Sequence, residues 1–120
     1  MKQKVSGIGG VFLRARDPKA LAAWYEEHLG IDDLNKAVWH QEAGTTIFGP
    51  FSMETDYFGR PEQQWMINFR VDDLNAMMDQ LKAAGIAVAT RAEWDSEVGR
   101  LARIHDPQGN PIELWGPSAK

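Results

Sequence analysis

The feature that most constrains this chain is a pattern that occurs twice: a short alternating strand, an acidic helix cap, then an amphipathic helix closed by glycine. In the first copy Val11, Leu13 and Ala15 alternate with Phe12, Arg14 and Arg16, as side chains do on opposite faces of a strand. Asp17 follows as an N-cap and Pro18 suits the first helical position. Leu21, Trp24, Tyr25 and Leu29 then keep helical spacing up to Gly30. In the second copy Ile67, Phe69 and Val71 alternate with Met66, Asn68 and Arg70. The pair Asp72-Asp73 caps a helix whose stripe is Leu74, Met77, Met78, Leu81 and Ala84, stopped by Gly85. Superposing Leu13–Asp17 on Phe69–Asp73 aligns Arg14 with Arg70 and Asp17 with Asp73. Gly30-Ile31 then falls on Gly85-Ile86 with a one-residue slip, so the halves read as an internal duplication.

Each helix is followed by further strand signals. After Gly30 these are Ala37–His40 and Thr45–Phe48, joined through Gln41-Glu42-Ala43-Gly44 as a hairpin. After Gly85 come Ile86–Ala89, a polar loop around Trp94, Arg100–His105, the turn Asp106-Pro107-Gln108-Gly109, and Pro111–Trp115. The polar stretch Ser52–Gln64, with Gly59, Arg60 and Pro61, connects the halves, with a short strand expected near Tyr57-Phe58.

A chain of 120 residues, 43% hydrophobic and 25% charged, suits one domain with one core, expected over 1–120. No apolar run reaches the roughly 18 residues of a membrane span, and the N-terminus lacks the apolar run of a signal peptide. The expectation is a cytoplasmic protein with no membrane partner. The formal net charge of -4, without a basic stripe, excludes nucleic acid as an expected partner. With no cysteine there is neither a disulfide nor a thiolate, so a metal would fall to imidazole and carboxylate.

Three segments carry a family resemblance: Phe12–Asp17 running through Trp24-Tyr25 to Leu29-Gly30-Ile31, Phe69–Leu74 running to Ala84-Gly85, and Asp106-Pro107-Gln108-Gly109-Asn110-Pro111-Ile112-Glu113-Leu114. With them nearly the whole chain resembles the glyoxalase/bleomycin-resistance/ring-cleaving-dioxygenase superfamily, the vicinal oxygen chelate proteins. The resemblance implies an α+β fold of two βαβββ modules, about 5–60 and 61–120, forming an open, partly closed barrel around a cup. It implies a homodimer as well. In the metal enzymes of the superfamily the ligands occupy inward positions on the first and last strands of each module. Here those positions carry Gly10, Met66 and Glu113, and a fourth near Phe48, Gly49 or Phe51. Only Glu113 can ligate, and one carboxylate does not hold a divalent ion open to substrate. No cofactor is therefore expected; a divalent metal is possible only with an incomplete ligand set. Antibiotic-sequestering members of the superfamily are a precedent for a cup without a metal.

Alternation turns Gly10, Phe12, Arg14, Met66, Asn68 and Arg70 toward the cup, with Glu113 and Trp115 opposite Ile112 and Leu114. Glu113 reads either as a general base or residual metal ligand, or as the partner of Arg14 or Arg70 in a salt bridge. Those two arginines read as anchors for an anionic ligand or as a solvated strand edge. His40 and His105 have the chemistry of a pocket acid or base, or of hydrogen-bonded strand residues. The leading expectation is a protein that binds a small, partly aromatic or anionic molecule. The alternative is an enzyme: a metal-dependent lyase or isomerase of the glyoxalase type, or a metal-free acid/base catalyst using Glu113.

Overall fold

The computed structural model describes residues 2–32 and 38–118. Helix α1 spans Pro18–Leu29, strand β1 Ile67–Arg70, helix α2 Leu74–Ala83, strand β2 Gly99–His105 and strand β3 Pro111–Pro117, with a 3-10 turn at Ala92–Trp94. Both helices begin as their sequences direct. Asp17 and Asp73 have extended backbones, and their carboxylates accept hydrogen bonds from the amides of Ala20 (3.1 Å) and Ala76 (3.0 Å). Such a cap contributes about 1 kcal/mol by satisfying an amide that the helix leaves unpaired. Gly30 ends α1 in the left-handed conformation, φ 73°, where its amide reaches back to the Glu26 carbonyl at 3.1 Å.

The sheet runs β1-β3-β2, with β1 parallel and β2 antiparallel to β3. Its register places Asn68 beside Glu113 and Glu113 beside Arg103, so the three form one row across the sheet. Alternation sends Ala102, Ile104, Ile112 and Leu114 to the opposite face. There they are buried with Leu21, Tyr25 and Ile31 from the first half and Leu74, Met78 and Leu81 from α2. Fully burying one such leucine or isoleucine is worth about 1.5–3 kcal/mol, so this mixed cluster of both halves is the main cohesive element. One polar lock supplements it. The buried Asp106 carboxylate, in the β2–β3 turn, accepts a 2.7 Å hydrogen bond from the Tyr25 hydroxyl on α1.

The first half departs from the expected module. Among the described residues, 10–16 and 45–48 form no strand, and neither does 38–40; Ala37 lies outside the described residues. Tyr57-Phe58 forms a turn, and Ile86–Ala89 contributes only the bridge between Ala89 and Arg103. Extended chain becomes a strand only where a neighbour satisfies its amides and carbonyls. The alternating faces of these segments stay open instead: Phe12 is 91% and Phe48 86% exposed. The structure is thus a small α+β fold with a mixed three-stranded sheet.

Candidate functional site

The helices cover one face of the sheet, and the row Asn68–Glu113–Arg103 lies on the other. Glu113 is its hub. Its Oε1 accepts from the Asn68 side-chain amide at 2.7 Å, and its Oε2 accepts a hydrogen bond from the Tyr57 hydroxyl. Tyr57 comes from the connector between the halves, where its amide bonds the Thr55 hydroxyl at 3.1 Å and its carbonyl accepts from Arg103 Nη2 at 2.7 Å. Its ring is stacked on Phe51, with centroids 5.7 Å apart and planes at 11°, and meets Trp94 edge-on at 5.8 Å. A carboxylate, a phenol, an amide and a guanidinium therefore converge within an aromatic wall.

Burial raises the Tyr57 phenol, and the hydrogen bond and charge of Glu113 raise it further against the opposing pull of Arg103, to about 12. Tyr57 accordingly remains a hydrogen-bond donor to Glu113 throughout the neutral range. His105 shares the Arg103 face of β2 by alternation. Its imidazole is pushed below the usual value, first by desolvation and then by the Arg103 charge, with Asp106 pulling the other way. His105 is therefore neutral at pH 7.

The remaining expected site residues are dispersed. Phe12 and Arg14 line a groove of about 560 Å³ together with Glu62, Gln63, Trp65 and Asn110. Arg70 does not pair with Glu113; its Nη2 donates to the Glu42 carbonyl at 3.0 Å, and it borders a small cavity of about 50 Å³ beside Trp39, Phe69 and Met77. The expected salt bridge from Glu113 to Arg14 or Arg70 is thus replaced by hydrogen bonds to Tyr57 and Asn68, because the connector and the adjacent strand put neutral donors closer than either cation. Trp115 is 7% exposed and its indole donates to the Val98 carbonyl at 3.0 Å, which ties down the loop before β2. Gly10 and His40 are exposed, and Met66 is half-buried at the start of β1. Among the described residues no three His, Asp or Glu side chains come together, so His40, His105 and Glu113 do not form a ligand cluster. With both Glu113 oxygens turned to hydrogen-bond donors, these residues do not fit a divalent ion. No helix among the described residues is long and apolar enough to cross a membrane.

Tyr57 and Arg103 are not legible as site residues, whereas Trp94 is expected from sequence to line a pocket or a subunit interface. Arg103 carries a signal in sequence, since it alternates with Ala102 and Ile104 and so faces away from the core, but the pairing that sets it beside Glu113 is tertiary. Tyr57 carries none, because a turn in a polar connector does not reveal which strand it approaches.

Residues 10–115 match the model of the glyoxalase-like domain, which is most of the chain. The chain belongs to that family. No curated protein matches this glyoxalase-like chain. Among solved structures it is similar to TnmS3, an antibiotic binding protein from Streptomyces sp. CB03234, at 24% identity and a TM-score of 0.63, covering 98% of this chain and 100% of that one. It is also similar to a glyoxylase/bleomycin resistance protein/dioxygenase domain from Frankia sp. EAN1pec, at 19% identity and a TM-score of 0.58, covering 96% and 100% of the two chains. At these identities the likeness establishes the fold.

Proposed function

We propose that this glyoxalase-like chain binds a small, partly aromatic or anionic molecule on the sheet face around Glu113, and does so without a metal ion. The observation that carries this reading is the state of Glu113: the carboxylate at the superfamily's last ligand position is held by a phenol and an amide, inside an aromatic wall, where a metal would need further ligands. Aromatic surface with a few convergent polar groups is the usual composition of a small-molecule site. The fold agrees with the reading, since TnmS3, of similar fold, is an antibiotic binding protein.

The test is an equilibrium-dialysis titration with a panel of small planar aromatic acids, amides and phenols, beside metal analysis of dialysed protein. Saturable binding of at least one compound is expected, with the affinity of neutral compounds weakened about tenfold, or 1.4 kcal/mol, in Glu113→Gln. A panel without any saturable binder overturns the reading, and so does a stoichiometric transition metal that survives dialysis.

The Tyr57–Glu113 hydrogen bond also favours a second reading, metal-free proton transfer with Glu113 as base and Tyr57 as its positioning donor. Turnover unchanged in Glu113→Gln would exclude it.

We further propose that the first half completes the doubled βαβββ barrel in a homodimer. The extended segments that carry Phe12, Ile47 and Phe48 expose apolar side chains and unpaired backbone together, and a second copy would cover both. Light scattering is expected to give twice the 13.5 kDa chain mass; a monomer at micromolar concentration overturns the dimer.

A further inference from the structure

Arg103 rises from the middle of β2, beside Glu113 in the register. Its Cζ lies 4.5 Å from the centroid of the Tyr57 ring and 5.7 Å from that of Trp94. Those rings stand at 86° to one another, so the guanidinium occupies the corner they make. Nη2 is fixed on the Tyr57 carbonyl, and Nε is buried with no acceptor. Among the described residues no carboxylate oxygen lies within 4.0 Å of its nitrogens, and the neighbouring acid, Glu113, is turned to Tyr57 and Asn68 instead.

Ring faces attract a cation by about 0.5–2 kcal/mol, but they do not replace the acceptor that its Nε lacks. A guanidinium clamped in one orientation and short of acceptors is organised in advance for a planar anion, because its fork matches two carboxylate oxygens and little side-chain freedom remains to be lost.

We propose that Arg103 is the specificity-determining residue of this site and anchors the carboxylate of an aromatic acid whose ring lies beside the half-buried Trp94. The inference rests on the binding function proposed above and narrows its ligand class from aromatic or anionic to both at once.

The experiment compares 2-naphthoate with 2-naphthamide, a pair that differs in charge and not in ring, by equilibrium dialysis at low salt. The full-length wild-type protein is expected to bind the acid at least tenfold more tightly. Arg103→Gln is expected to bring the acid down to the level of the amide while leaving amide binding within twofold; Arg103→Lys, which keeps the charge and loses the fork, should retain part of the preference. Equal wild-type affinities, or a preference that survives in Arg103→Gln, overturn the proposal. So does failure of both naphthyl compounds to bind while other aromatics of the panel do, an outcome that leaves the binding function standing. Where Arg103→Gln fails to fold, Arg103→Lys decides, since a preference there as large as that of the wild type overturns the proposal.

Discussion

Replacing Asp106 with alanine is expected to remove about 3–5 kcal/mol of stability, a large part of what a domain of this size possesses. The carboxylate is 4% exposed and accepts four hydrogen bonds: the Tyr25 hydroxyl at 2.7 Å, the Gln108 amide at 2.8 Å, the Asn110 side-chain amide at 2.9 Å and the Asn110 backbone amide at 3.0 Å. Each donor left behind in a poorly solvated place costs about 1–3 kcal/mol. Three of them shape the turn that closes the β2–β3 hairpin, and the fourth joins that turn to α1. The loss therefore reaches beyond the turn to the helix packed across both halves. Burial, then the hydrogen bond from its own hydroxyl to Asp106, holds the Tyr25 phenol well above the ordinary tyrosine range, so this link persists through the neutral range. Tyr25→Phe removes one bond and leaves the turn intact, and should cost about 1 kcal/mol. Urea unfolding of the two variants checks the order; an Asp106→Ala midpoint equal to that of wild type would show that the lock contributes nothing.

The second large effect is expected at Gly99, the first residue of β2. Its φ of +134° is a conformation that side-chain-bearing residues rarely adopt, and the position is buried. A Cβ there would press into the Gly116 carbonyl oxygen and come within 2.9 Å of both Pro117 Cα and Trp115 Nε1. The first two are backbone atoms of the paired strand and cannot turn aside. Gly99→Ala is thus expected to cost about 3 kcal/mol or more and to lower Tm by about 10 °C. It should also loosen the Trp115 indole from the Val98 carbonyl, which Trp fluorescence would register as exposure to quencher. Gly7, with open space where its Cβ would stand and no positive φ, is the control: Gly7→Ala should stay within about 0.5 kcal/mol. Equal stability of the two variants would contradict the close approach of β2 and β3 at this end.

Two aspects of the site differ in how far sequence reached them. Asn68 and Glu113 were both legible, because alternation from a buried neighbour decides which way a strand residue points. That they touch, at 2.7 Å, follows from β1 lying parallel beside β3, a pairing across some forty residues that no local pattern encodes. Arg14 and Arg70 show the converse. They align in the duplicated pattern and carry the same chemistry, yet one borders a groove and the other donates to a main-chain carbonyl. The two copies of the pattern share local physics without sharing surroundings.

What the sequence by itself determined is everything governed by contacts a few residues apart. The acidic caps at Asp17 and Asp73, the apolar stripes of α1 and α2, the glycine stop at Gly30 and the Asp106–Gly109 turn all form where the doubled pattern puts them, since a cap or a stripe needs only its own helix. The tertiary structure alone decided which extended segments become strands and what surrounds Glu113. A strand needs a partner to satisfy its backbone; β1, β2 and β3 find one, and the alternating stretches of the first half do not within the described chain. Likewise the donor that holds Glu113 arrives from a connector fifty-six positions away, and the cation beside it rests on that same tyrosine. Local order was written in the spacing of the residues, whereas the chemistry of the site depends on which distant surfaces the fold brings face to face.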